Sequence, residues 1–134
     1  MFWKIVTKFF LWLQTNDFQD FALLKVLIKK FEGLSQFNVN IKWIRLKLTL
    51  YEYKHINSAE KVYDRARDIA LEIKSINPYL GYIAWSEIYQ AIGDEEKCLG
   101  VLKDCISTDP HKVHAYIRLY RYVKISKYNM DMYS

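Results

Sequence analysis

Chain breakers are scarce: the 134 residues include four Gly and two Pro. An all-β chain needs a turn about every 8–12 residues, so this scarcity argues for long helices. Cysteine is scarce too. Cys98 and Cys105 are seven residues apart, which on one helix is roughly 10 Å along the axis and too far for a mutual disulfide. A disulfide scaffold is therefore excluded, and two free buried thiols fit an intracellular setting, cytoplasm or nucleus. No uncharged apolar run approaches the ~18 residues of a membrane-spanning helix. The apolar N-terminus is broken by Lys4 and Lys8, and no small-residue cleavage site of a signal peptide follows.

Catalytic motifs are missing as well. There is no Gly-rich phosphate loop, no G-x-S-x-G and no H-E-x-x-H, and with four glycines few loops can approach a cofactor closely. His111 and His114 are three apart and could share a helix face. No cysteine or carboxylate stands at a zinc-like spacing from them, and two ligands do not make a site. The expectation is a non-enzyme with no cofactor and no metal.

What is present is a single domain's worth of hydrophobic sequence, 51% overall, rich in 11 Tyr, 7 Phe and 4 Trp. Charge is uneven along it. Residues 1–67 carry +6, residues 68–110 carry −5 and residues 111–134 carry +4. A basic–acidic–basic pattern suits pairing with protein neighbours better than it suits one broad nucleic-acid face.

Turn-and-cap signals divide the chain. Asn16-Asp17, Asn57-Ser58 and Gly93-Asp94 are short, each placing a helix-ending residue beside a capping side chain. Gly33 to Asn40, Asn77-Pro78 and Asp109-Pro110 break more firmly, with Pro tolerated in a first helical turn. The predicted helices are 2–14, 17–32, 40–56, 58–75, 78–92, 94–107 and 110–127. They group as antiparallel hairpins over 2–32, 40–75 and 78–107, plus an extra helix. Val62, Tyr63, Ala66, Ile69, Ala70 and Ile73 recur at helical steps, as do Tyr82, Trp85, Ile88 and Tyr89. Helix 2–14 is apolar almost all round, so it is expected to be buried on two sides or to lie in an interface.

Residues 77–110 resemble a tetratricopeptide (TPR) repeat. With Tyr79 as the first position, Tyr82 takes the first aromatic, Trp85 the leucine, Ser86 the small residue and Tyr89 the tyrosine. Gly93-Asp94 matches the turn, Cys98 and Cys105 stand where alanine is usual, Leu102 lies between them, and Asp109-Pro110 closes the unit. Ala59-Glu-Lys-Val-Tyr-Asp-Arg-Ala66 is similar to the second helix of a half-a-TPR (HAT) repeat, with Trp43 near that variant's first-helix tryptophan. The first hairpin shares only the helical pairing and its Asn16-Asp17-Phe18 turn.

The resemblance implies an all-α superhelix (solenoid) of about three antiparallel hairpins and a terminal helix. It implies packing of Tyr82, Trp85, Ser86, Tyr89, Cys98, Leu102 and Cys105 within the best repeat. First helices line the family's concave face, so candidate partner-binding residues are Leu80, Ile83, Glu87, Gln90, His114, Ile117, Arg121 and Lys124. Of the positions that hold a terminal carboxylate in chaperone-binding members, only Arg118 carries the right residue, which argues against a chaperone-tail adaptor. The implied role is a protein-interaction scaffold within an intracellular complex, taking a helix or extended peptide with acidic and apolar residues.

Two alternatives stand beside it. Tyr116, Tyr120 and Tyr122 interleave with Arg118, Arg121 and Lys124, as single-strand stacking would require, so a HAT-type subunit of an RNA-processing or transcription assembly is the second reading. Against it, Tyr116, Leu119, Tyr120 and Val123 are expected to be the packing stripe of the last helix. A peripheral membrane adaptor using helix 2–14 is the third.

Overall fold

The computed structural model describes residues 2–32 and 39–133, with side chains over 3–31 and 39–124. Among these residues there are seven helices and no strand, so the chain is all-α. They are α1 (Phe2–Thr15), α2 (Phe18–Glu32), α3 (Val39–His55), α4 (Glu60–Ile76), α5 (Pro78–Ile92), α6 (Glu95–Thr108) and α7 (His114–Tyr133).

The turns form by local chemistry. Asn16 adopts a left-handed φ of 53° and its amide closes α1 on the Trp12 carbonyl at 2.7 Å, while the Asp17 carboxylate accepts from the Gln19 amide to start α2. Gly93, at φ 78°, ends α5, a conformation that glycine adopts without strain. The Asp94 carboxylate then accepts from Lys97 N and opens α6. Asn77 caps α5 by accepting from Leu80 N, with Pro78 at the first helical position, where its missing N–H costs nothing. At Asn57 the side-chain oxygen takes the Ala59 amide instead, so α4 begins at Glu60 and not at residue 58. The expected break over Gly33 to Asn40 falls mostly on residues 33–38, outside the described residues, and α3 is under way at Val39.

Each helix packs on its neighbours in sequence, and α3 also touches α5. Three buried clusters result. The first joins Ile5, Phe9 and Trp12 of α1, Phe21, Leu24, Leu27 and Ile28 of α2, and Ile41, Ile44 and Leu48 of α3. The second joins Leu46 and Leu50, from another face of α3, to Ala66, Ile69, Ala70 and Ile73 of α4 and Ala84 and Ile88 of α5. The third joins Tyr79 and Ile83 of α5 to Cys105 of α6 and Ala115 of α7.

Helices α4 and α5 cross so closely that a Cβ at Gly81 would lie 2.4 Å from the Lys74 Cα. Glycine is required there by contact, not by torsion. At the α5–α6 crossing the small residue is Ser86, whose hydroxyl donates to the Ile83 carbonyl at 2.6 Å.

Several expectations need correction. Ser86, Cys98, Leu102 and Cys105 are buried; Tyr82, Trp85 and Tyr89 are half-buried, with Tyr82 packed against the third cluster and Trp85 against the second. Helix α7 starts at His114, four residues after Pro110, because the buried Tyr79 hydroxyl accepts the Ala115 amide at 2.9 Å and fixes the first turn there. That contact also sets the rotation of α7. Ala115 is buried and Leu119 and Tyr122 half-buried, whereas Tyr116, Tyr120 (67% exposed) and Val123 face outward, so the expected packing stripe is rotated. Of the two settings expected for helix α1, burial on two sides is not met: Ile5, Phe9 and Trp12 are buried, while Trp3 (75% exposed), Phe10, Leu11 and Leu13 are open.

Candidate partner-binding groove

A buried charge joins three of the odd-numbered helices. Glu87 of α5 accepts from Lys47 Nζ of α3 at 2.8 Å and from the Arg118 guanidinium of α7. Its side chain is 12% exposed. Burial alone pushes this carboxyl up, but the Lys47 ammonium and the Arg118 guanidinium outweigh that and hold it below its ordinary value. Arg118 is packed further: its Nε donates to His114 Nε2 at 2.7 Å, and its guanidinium lies 5.3 Å from the Trp43 ring centre. Loss of solvation, then the Arg118 and Arg121 charges, keep His114 below the usual imidazole range. It is neutral near pH 7, which is what accepting from Arg118 demands.

Two depressions flank this tie. One, of about 510 Å³, lies over α5, α6 and α7 and is lined by Glu87, Gln90, Leu102, His114, Ile117, Arg118 and Arg121 among others. The other, of about 440 Å³, lies over α1, α3 and α5 and is lined by Trp12, Lys47, Tyr51, Lys54, Glu87 and Gln90 among others. Both include Glu87 and Gln90, so the two adjoin across α5 and run from α1 to α7. Among their lining residues Glu87 is the one carboxylate, set against the cations Lys47, Lys54, Arg118 and Arg121. Trp12 is buried, and its indole Nε1 has no hydrogen-bond partner among the described residues.

The predicted partner-binding residues divide. Glu87, Gln90, His114, Ile117 and Arg121 line the groove. Ile83 does not: at 1% exposure it sits in the third core cluster beside Cys105 and Ala115. Leu80 packs against the second cluster. Lys124 lies outside the lining and extends along Tyr120, 6.0 Å from its ring. Glu87 and Arg118 satisfy each other, so neither is a free charge awaiting a ligand. Lys47, Tyr51 and Lys54 were missed. Helical spacing puts Lys47, Tyr51 and Lys54 on one face of α3, a pattern visible in sequence, but which neighbour that face meets is a tertiary fact.

The thiols have no reactive setting. Both are free and buried; Cys98 donates to the Ser86 carbonyl and Cys105 to the Tyr79 carbonyl, each at 3.5 Å. Burial foremost pushes both up to about 11. Among the described residues no group of three or more His, Cys, Asp and Glu could hold a metal ion, and no helix is long and apolar enough to cross a membrane. Compared with protein-family models, curated proteins and solved structures, the chain matches none.

Proposed function

We propose that the chain is a scaffold of TPR-like hairpins, α1–α2, α3–α4 and α5–α6 stacked as a solenoid with α7 beyond them, whose odd-numbered helices receive a segment of a protein partner. The observation that carries this reading is that the two depressions adjoin at Glu87 and Gln90. With helix axes roughly 8–10 Å apart, a groove crossing four helices is roughly 25–30 Å long, the reach of about eight extended residues. Its cations exceed its carboxylates, so the segment is acidic. Leu13 and Ile117, both exposed, supply apolar contacts, so the segment also carries apolar side chains.

The test is affinity purification with mass spectrometry, with and without nuclease, using the natural chain and an Arg121→Glu/Lys54→Glu variant. Both side chains are exposed, so circular dichroism should be unchanged. Proteins retained after nuclease and lost with the variant support the scaffold. Retention that ignores the reversal, or capture that nuclease abolishes, defeats it.

One observation favours the RNA-assembly reading: Tyr116 and Tyr120 are exposed and open to stack on bases, with Lys124 beside Tyr120. RNA affinity that survives physiological salt and depends on Tyr120 would put this reading first. The expected result is weak binding that falls with salt at a log–log slope of about −0.7 per phosphate.

A further inference from the structure

A second concave site lies on a different face of α3 from the groove. Helical spacing puts Arg45, Leu48, Thr49 and Glu52 on one side of this helix and Lys47, Tyr51 and Lys54 on another. The first set faces α2 and α4. It lines a cleft of about 260 Å³ together with Lys25, Ile28 and Lys29 of α2 and Arg65 of α4. Lys25, Lys29 and Arg65 of this lining stand against one carboxylate, Glu52, an excess of two positive charges in a space the size of a small molecule.

The one carboxylate does not saturate its neighbours. Glu52, whose side chain is 14% exposed, stands 3.6 Å from both Lys25 Nζ and an Arg65 nitrogen through a single oxygen. At that distance the contacts are ion pairs without hydrogen bonds, unlike Lys42–Glu72 at 2.6 Å or Lys47–Glu87 at 2.8 Å. The Lys25 and Arg65 donors are therefore gathered by Glu52 without being used by it. Lys29 forms no ion pair with any described residue. The floor is apolar: Ile28 and Leu48 are buried, and the Thr49 hydroxyl is already spent on the Arg45 carbonyl at 2.8 Å.

We propose that this cleft binds a phosphate monoester, its phosphoryl oxygens held by Lys25, Lys29 and Arg65 and its organic stem resting on Ile28 and Leu48. A compact dianion matches the excess charge better than a carboxylate does. The Arg65 guanidinium offers paired N–H donors in the geometry that a phosphoryl group accepts. Glu52 acts as a positioning residue, drawing Lys25 and Arg65 together while leaving their donors open.

Isothermal titration calorimetry on the whole chain tests this with phenyl phosphate, inorganic phosphate, and a peptide containing phosphotyrosine. Phenyl phosphate should bind one to one, more tightly than inorganic phosphate, and at least tenfold more weakly to Arg65→Gln. Affinity should also fall as pH drops through the second phosphate ionisation near ~6. Lys29→Gln, at an exposed position, provides a second variant that keeps the fold should Arg65→Gln lose it. A peptide that outcompetes phenyl phosphate identifies the source as a modified protein; a rejected peptide identifies a free small molecule. Absence of saturable phenyl phosphate binding, or binding that both variants leave unchanged, overturns the proposal.

Discussion

Replacing Glu87 with Gln isolates the charge that ties α3, α5 and α7. The isostere keeps the volume and removes the ionic part of two hydrogen bonds, one to Lys47 at 2.8 Å and one to Arg118. Hydrogen bonds to charged groups contribute about 1.5–3 kcal/mol each, and breaking a buried pair by removing one partner costs about 3–5 kcal/mol. Here Lys47 and Arg118 keep between a quarter and a third of their side-chain surface in water. They can resolvate in part, which lowers the expected loss to about 2 kcal/mol at neutral pH. The pH dependence distinguishes this from a packing defect. The folded Glu87 carboxyl lies below its ordinary value of 4.5, so its contribution is complete above that value and lost as pH falls through the folded one. Urea denaturation followed by far-ultraviolet circular dichroism should show a wild-type advantage at neutral pH that closes in acid, where both proteins carry a neutral group. An advantage under about 0.5 kcal/mol, within the range of ordinary surface changes, or one indifferent to pH, would refute the ionic account.

Two further outcomes follow from close contacts. Gly81→Ala should lower the thermal midpoint by several degrees: overpacking against the α4 backbone costs about 1–3 kcal/mol, more than the ~1 kcal/mol that alanine gains in helix propensity. A raised midpoint would show that α4 and α5 separate more easily than their geometry indicates. Tyr79→Phe should cost about 1–3 kcal/mol by leaving the buried Ala115 amide without an acceptor. Amide hydrogen exchange should accelerate in the first turn of α7, and unchanged protection there would remove Tyr79 as the anchor of that turn.

Where the deciding chemistry is local, the sequence was readable. Asn16-Asp17 and Gly93-Asp94 end one helix and begin the next through bonds spanning two to five residues, so the helix ends there match to within a residue or so. The α4 face of Val62, Ala66, Ile69, Ala70 and Ile73 was equally plain, since one regular stripe meets one core. What failed was set by distant partners. The start and rotation of α7 depend on Tyr79, 36 residues before Ala115, and no periodicity within 110–127 encodes that bond. Ile83 was expected outside and is inside because α7 covers it through Ala115. Of the groove, the α5 and α7 residues Gln90, His114, Ile117 and Arg121 were legible from the repeat resemblance. The α3 contribution was not, because Lys47 meets Glu87 from 40 residues away.

Helix α3 belongs to two core clusters at once, through Ile41, Ile44 and Leu48 on one side and Leu46 and Leu50 on the other. Loss of the α1–α2 hairpin would leave it held by α4 and α5, and loss of α7 would leave both of these clusters whole while removing Arg118 from Trp43 and from the Glu87 tie. The two ends can thus open separately while the middle stays folded. The groove, however, exists only when α1 and α7 are both docked, since Trp12 lines one end and Arg121 the other. A ligand spanning it would therefore feel an apparent dissociation constant raised by the fraction of molecules with either end open. Conditions that quieten the ends would tighten binding without changing a single contact in the groove.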